Sequence, residues 1–284
     1  MPSEILLART KEMLRANGLK ARKGLGQNFL VDGGVVKKIL SAAALTEEDT
    51  VIEVGPGLGV MTGELAKAAG QVIAVELDAT LAGILEAQYD GNPRVKIINA
   101  DILKTDAAAL AEEYGFKRYK VVANLPYYIT SAAIRHFLEV SLKPEMLVLM
   151  TQKEVAKQIT AAPGEMSLLS VSVQLYGKPS IVDKVPARSF HPAPGVDSAI
   201  LKIEVFQPEQ VGVNDIEVFF KIVRAAFSAN RKQIVNPLAH RLAMPRADVL
   251  ALLAKAGIDS HRRAETLTIT EWKYLSQTFQ NKDK

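Results

Sequence analysis

The 284-residue chain has no cysteine, a single tryptophan and four histidines. The first absence excludes disulfides, thiolate zinc sites and cysteine nucleophiles, and His136, His191, His240 and His261 lack metal-ligand spacing. No metal is expected. No apolar run reaches the roughly 18 residues of a membrane-spanning helix, and the N-terminus alternates charged with apolar residues, unlike a secretory signal. A cytoplasmic protein is the expectation. Acidic residues are missing altogether from positions 221–247, which carry six Lys/Arg.

That gap belongs to an uneven charge distribution hidden behind a net charge of +4. Residues 1–38 hold 8 Lys/Arg against 3 Asp/Glu, and residues 39–220 hold 15 against 23. An acidic body with basic flanks suits binding to a phosphate backbone, where lysine and arginine release condensed counterions. Ordinary solvated charge on helices is the competing explanation.

What is present is a regular alternation. Val51–Val54, Gln71–Leu77, Val95–Ala100, Tyr119–Ala123 and Met146–Met150 are short apolar runs with strand character. Between them Met61–Ala69, Ala79–Ala87 and Ser131–Leu138 read as helices, so the order is βαβ and the sheet parallel. Leu169–Tyr176 and Ala199–Val205 read as an edge pair of strands joined by a long proline-studded loop. Phe206–Val213 reads as a linker, and the pattern is helical and basic from Asp215. Pro237 and Pro245 divide that region into short helices, and Thr270 is a candidate cap for the last. The expected fold is α/β: a mostly parallel seven-stranded, Rossmann-like sheet over residues 1–206, followed by a small all-α domain over 214–284.

Three strand ends carry chemistry. Gly55-Pro56-Gly57-Leu58-Gly59 follows one strand and opens a helix. A dinucleotide fingerprint would put glycine or alanine where Val60 stands, which favours a cofactor without a pyrophosphate. Glu76, about 20 residues past the turn, ends the next strand, where an acid accepts ribose hydroxyls. Asp101 ends the third, within reach of an adenine amine, and Leu77 and Ile102 could form an apolar slot for the ring. Helix capping and plain core packing are the competing roles for these four residues. Asn124-Leu125-Pro126-Tyr127 closes another strand, and its proline stiffens a loop bearing an amide and an aromatic ring that could grip an aromatic amine.

With Lys23-Gly24-Leu25-Gly26-Gln27-Asn28-Phe29-Leu30 before these motifs and Phe190-His191-Pro192-Ala193-Pro194 after them, the chain resembles the ribosomal RNA adenine dimethyltransferase family, most of all its bacterial small-subunit type. The resemblance implies a class I methyltransferase that dimethylates two adjacent adenosines near the 3′ end of 16S rRNA, using S-adenosylmethionine. It implies that Gln27, Asn28 and Leu30 close over the donor and that Gly55 and Gly57 back it. Glu76 would hold the ribose, and Asp101 the adenine. Asn124 and the Leu125 carbonyl would accept from the target amine, while Tyr127 and Phe190 stack on the flipped base. Lys221, Arg224, Arg231, Lys232 and Arg241 would grip RNA, and the expected partner of this monomer is the small ribosomal subunit or a precursor particle. Two positions depart from the family pattern: Asn230 where many relatives carry arginine, and Tyr128 where asparagine is frequent. A large-subunit methyltransferase of the antibiotic-resistance type, a catalytically silent assembly factor and a small-molecule methyltransferase are the alternatives.

Overall fold

A computed structural model describes residues 3–281. It divides into two compact units, one of residues 1–156 with 179–205, the other of 157–178 with 206–284. Residues 157–178 group with 206–284, so each unit is built from two separate stretches of chain.

The first unit opens with helix α1 (Ser3–Ala16), the two-residue strand β1 (Phe29–Leu30) and α2 (Gly33–Ala43). Asp32 caps α2 through the N–H groups of Gly34 and Val35. Strands and helices then alternate as β2 (Thr50–Val54), α3 (Val60–Ala68), β3 (Gln71–Glu76), α4 (Ala79–Gln88), β4 (Val95–Asn99), α5 (Ala107–Tyr114), β5 (Lys120–Asn124), α6 (Thr130–Glu139) and β6 (Met146–Gln152). The central strands are β-branched and buried on both faces, as a sheet covered by helices requires. After α7 (Lys153–Ile159) and α8 (Leu168–Gln174) come β7 (Gly177–Val185), β8 (Phe190–His191) and β9 (Ser198–Val205).

Seven strands form one sheet in the order β4-β3-β2-β5-β6-β9-β7. Pairs from β4 through β6 are parallel, and β9 runs antiparallel to β6. The chain winds outward from β2 through β3 to β4, then returns to place β5 on the other side of β2. That reversal makes β2/β5 the switch point, outside whose carboxyl ends such sheets bind ligands.

The expected edge pair needs correction. Residues 169–174 lie in α8, not in a strand, because Ser167 and Ser170 form a reciprocal capping box and α8 packs on another helix of the second unit. The strand beside β9 is β7, whose Lys178, Pro179, Asp183 and Lys184 hide its alternating burial from a hydropathy reading. Charge and proline are at home on such a sheet edge.

In the second unit α9 (Pro208–Val211), α10 (Ile216–Ala226), α11 (Val235–Arg241), α12 (Arg246–Lys255) and α13 (Ile269–Gln280) surround fully buried Trp272 and Phe219. Pro237 does not break a helix: it lies in the first turn of α11, where its missing N–H would have no intrahelical partner. Pro245 does begin one, as the residue before α12. The cap of α13 is Thr268 rather than Thr270, paired with Glu271 in a capping box.

Candidate active site

The carboxyl ends of β2, β3, β4 and β5 converge on a cavity of about 280 Å³. Gln27, Asn28, Leu30, Gly55, Gly57, Glu76, Leu77, Asp101, Ile102 and Asn124 all line it, so the structure gathers every residue expected at the donor. The walls are mainly apolar with a few polar groups, the usual character of a small-molecule site.

The glycine turn is required by its geometry. Gly55, Gly57 and Gly59 have φ of 66°, 60° and 76°, in the left-handed region that favours glycine. A Cβ on Gly57 would also lie 3.2 Å from the Phe29 ring. At Gly55 the nearest atom to such a Cβ is the Asn124 carbonyl at 3.9 Å, so the backbone there borders open space.

Glu76 is largely buried and well held. One carboxylate oxygen accepts from Gly57 N–H at 3.0 Å and the other from Asp78 N–H at 2.9 Å. Asn99 secures the strand end by donating to the Glu76 and Leu77 carbonyls. Burial raises the Glu76 pKa, opposed by the N–H donors. Each carboxylate oxygen keeps further accepting capacity for a hydroxyl. Asp101 serves partly as a cap: one oxygen accepts from Leu103 N–H at 3.0 Å, the other lies 4.0 Å from Lys104. Leu77 is 52% exposed beside it while Ile102 is buried, giving the slot one open and one rigid wall.

Asn124 has a defined orientation. Its side-chain nitrogen donates to the Asn28 carbonyl at 2.9 Å. A carbonyl can only accept, so the amide oxygen of Asn124 must be the atom left to receive a donor. Asn28 donates in turn to the Gly26 carbonyl, and Gln27 is held between the Arg22 N–H and the Asp78 carboxylate. Asp78 also caps α4 and pairs with Arg22 at 3.0 Å. Asp78 and Arg22 are not expected from the sequence; the only signal is an acid just before a helix, which predicts a cap and not a brace for Gln27. The loop is further pinned by pairing of Leu30 with Phe190 across β1 and β8 and by Ser189 donating to Asp32.

The aromatic residues expected at the base differ in burial. The Tyr127 hydroxyl lies 2.7 Å from Ser198 Oγ, and the ring is half-buried. Burial raises its pKa, keeping the phenol neutral. The Leu125 side chain is buried, which leaves its main chain as its contribution. Phe190 is 4% exposed and belongs to the same hydrophobic cluster as Leu30 and Val185.

Behind the glycine turn stands Glu53, fully buried, with neither carboxylate oxygen finding a hydrogen-bond partner among the described residues. Burial raises its pKa to about 8, the nearby Thr62 hydroxyl only partly offsetting this. It is therefore mostly a neutral acid at pH 7.

In the second unit Lys221, Arg224, Arg231, Lys232 and Arg241 are all exposed. Among the described residues none of the five pairs with a carboxylate; Lys221 and Arg224 instead lie about 6 Å from the Phe279 and Phe220 rings.

A seven-stranded sheet of this order, a glycine turn at its switch point and an acid ending the neighbouring strand define a class I methyltransferase. The model of the family described as ribosomal RNA adenine dimethylase matches residues 18–280, and the chain belongs to that family. It is 54% identical over 271 residues to a ribosomal RNA small subunit methyltransferase A of Dehalococcoides mccartyi, covering 95% of this chain and 92% of the relative. A protein of the same description from Moorella thermoacetica is 44% identical over 99% of this chain and all of its own length. Among solved structures, the 23S rRNA methyltransferase ErmE matches with a TM-score of 0.69 and 29% identity, over 89% of this chain and 100% of its own. A dimethyladenosine transferase from Plasmodium falciparum superposes with a TM-score of 0.77 at 24% identity, over 90% and 98%, a likeness of fold.

Proposed function

We propose that this enzyme uses S-adenosylmethionine to dimethylate the exocyclic amines of two adjacent adenosines near the 3′ end of 16S rRNA, in the cytoplasm, during assembly of the small ribosomal subunit. The observation that carries this reading is the anchored amide of Asn124, a residue that lines one cavity with Glu76 and the glycine turn. Identity above 50% to small-subunit relatives supports the choice of RNA.

The pocket fits the donor. Glu76 would accept both ribose hydroxyls, Asp101 the adenine amine, and Leu77 with Ile102 would sandwich the ring, while the open backbone at Gly55 leaves room for the methionine part. When bound, the donor supplies an electrophilic methyl group on a sulfonium that leaves as a neutral thioether. The chain's part is to prepare the nucleophile. An adenine amine is a poor one because its lone pair is delocalised into the ring. Asn124 Oδ1 and the Leu125 carbonyl, accepting hydrogen bonds from its N–H groups, would draw the nitrogen toward tetrahedral geometry and free that pair; once the N–C bond forms and the C–S bond breaks, the methylated nitrogen would lose its extra proton to water. A carboxylate at 124 would add charge without need. Positioning then accounts for most of the acceleration, and Tyr127 would support the base.

The exposed cations from Lys221 to Arg241 would hold the RNA backbone. The test is incubation of unmodified small-subunit particles and of large-subunit particles with radiolabelled donor, followed by mapping of dimethyladenosine. Label confined to adjacent adenosines of 16S rRNA is expected. Label on 23S rRNA alone would establish the second reading, which the likeness to ErmE favours; no label on either would leave a silent assembly factor.

A further inference from the structure

We propose that Arg22 and Asp78 are positioning residues: their ion pair fastens residues 22–28 across the carboxyl end of β2 and thereby sets how firmly Gln27 holds the donor. This rests on the donor reading above. Neither residue lines the donor cavity, whose wall in this part of the chain runs from Leu25 to Leu30. The segment bridges two neighbours of β2, reaching Asp78 just beyond β3 and Asn124 at the end of β5. Between them the Phe29 ring lies against the glycine turn, 3.2 Å from where a Cβ on Gly57 would stand. Residues 22–28 therefore form a strap over the turn that backs the donor.

The two ends of the strap are held differently. On the β5 side the contacts are uncharged: Asn124 donates to the Asn28 carbonyl at 2.9 Å, Gly26 sits so close to Pro126 that a Cβ would meet its ring at 3.1 Å, and the following β1 pairs with β8. On the β3 side one carboxylate oxygen of Asp78 accepts from Gln27 Nε2 at 3.1 Å and pairs with Arg22 at 3.0 Å. Arg22 closes the strap on itself, its N–H donating to Gln27 Oε1 at 2.8 Å and its carbonyl accepting from the Leu25 and Gln27 N–H groups. The other Asp78 oxygen stays with α4, accepting from Thr80 N–H, while the Asp78 N–H donates to Glu76. One residue thus touches the ribose acid through its main chain and Gln27 through its side chain. The Asp78 side chain is 4% exposed and that of Arg22 54%, so the pair stands at the water boundary and contributes modestly. Its opening frees Gln27 for donor exchange while the β5 side keeps Asn124 aimed.

Arg22→Gln, Arg22→Lys, Asp78→Asn and the double variant Arg22→Gln/Asp78→Asn should be compared with wild type by calorimetry with S-adenosylmethionine over a series of salt concentrations, and by methyl transfer to unmodified small-subunit particles. Each neutralising variant is expected to weaken donor binding and raise the donor KM about fivefold, with kcat at saturating donor changed less than about twofold because the Asn28 anchor remains. The double variant should be no weaker than either single one, since all remove the same interaction, and Arg22→Lys should recover most of the affinity. Added salt should weaken wild type more steeply than Arg22→Gln. Asparagine still caps a helix, so Asp78→Asn should keep its melting temperature; if it unfolds, Arg22→Gln and its salt series decide alone. Wild-type affinity and salt response in Arg22→Gln would overturn the proposal, as would losses that multiply in the double variant. Failure of wild type to bind the donor at all would instead break the underlying reading.

Discussion

In the strand-end pocket the polar side chains are mostly held, Glu76 by two N–H groups, Asn124 by the Asn28 carbonyl and Gln27 by Arg22 and Asp78. On α10, α11 and the turn between them, five cations face solvent with no carboxylate partner among the described residues. Groups held before the ligand arrives lose little entropy on binding, so the pocket is built for geometry. Long unpaired cations tolerate many arrangements and act through charge, which makes that face suited to a polyanion and sensitive to salt. Substitutions in the two regions should therefore fail in different ways.

The largest effect is expected at Asn124. Asn124→Ala should lower methyl transfer about 100- to 1000-fold, the range for losing one well-placed transition-state hydrogen bond, with donor affinity nearly intact. Single-turnover kinetics with labelled donor check this, and near-normal turnover would remove Asn124 from the chemistry. Glu76→Ala should weaken donor binding about 10- to 100-fold, as expected for hydrogen bonds to a charged group, while circular dichroism shows the fold retained. Because only ionised Glu76 accepts from both hydroxyls and its pKa is raised, wild-type affinity should begin to fall at a higher pH on acidification than an ordinary carboxylate would give. Calorimetry across pH measures both.

The helical unit should respond otherwise. Reversing Arg231 and Lys232 to glutamate is expected to weaken particle binding about tenfold or more and to reduce the slope of log affinity against log salt by about one for each phosphate no longer neutralised. Donor affinity should not move; if it falls, the contrast between the regions is wrong.

The smallest effect is expected at Glu53. Its pKa is about 8 in the folded chain against an ordinary value of 4.5, so the folded state holds the proton more tightly and stability declines as pH rises from about 4.5 to 8. Glu53→Gln should flatten that decline and raise the melting temperature by a few degrees at pH 8, with little change near pH 4.5. Parallel melting curves for the two proteins would show that burial of Glu53 imposes no such cost.

Much of the site is legible in the chain because it is local. A strand followed by glycines with positive φ, or an acid ending a strand about 20 residues later, is written in consecutive residues, so Gly55, Gly57, Glu76, Asp101 and Asn124 can be named from their register. Residues 169–174 defeat the same reasoning because an apolar run of that length fits either period, and a serine capping box with tertiary packing makes it a helix. A motif likewise says that Phe190 is present, while its burial depends on what β8 packs against.

Residue type and spacing are enough to set the alternation of strand and helix, the strand ends on which the polar groups stand and the charge of the C-terminal helices. Which of those groups meet is settled by folding. The Asn28 carbonyl that aims Asn124 is 96 positions away in the chain, and the exposure of Tyr128 and the burial of Phe190 depend on how separate segments close over one another. Hydrogen-bond direction and burial are properties of contacts, and contacts between distant segments exist only once the chain has folded.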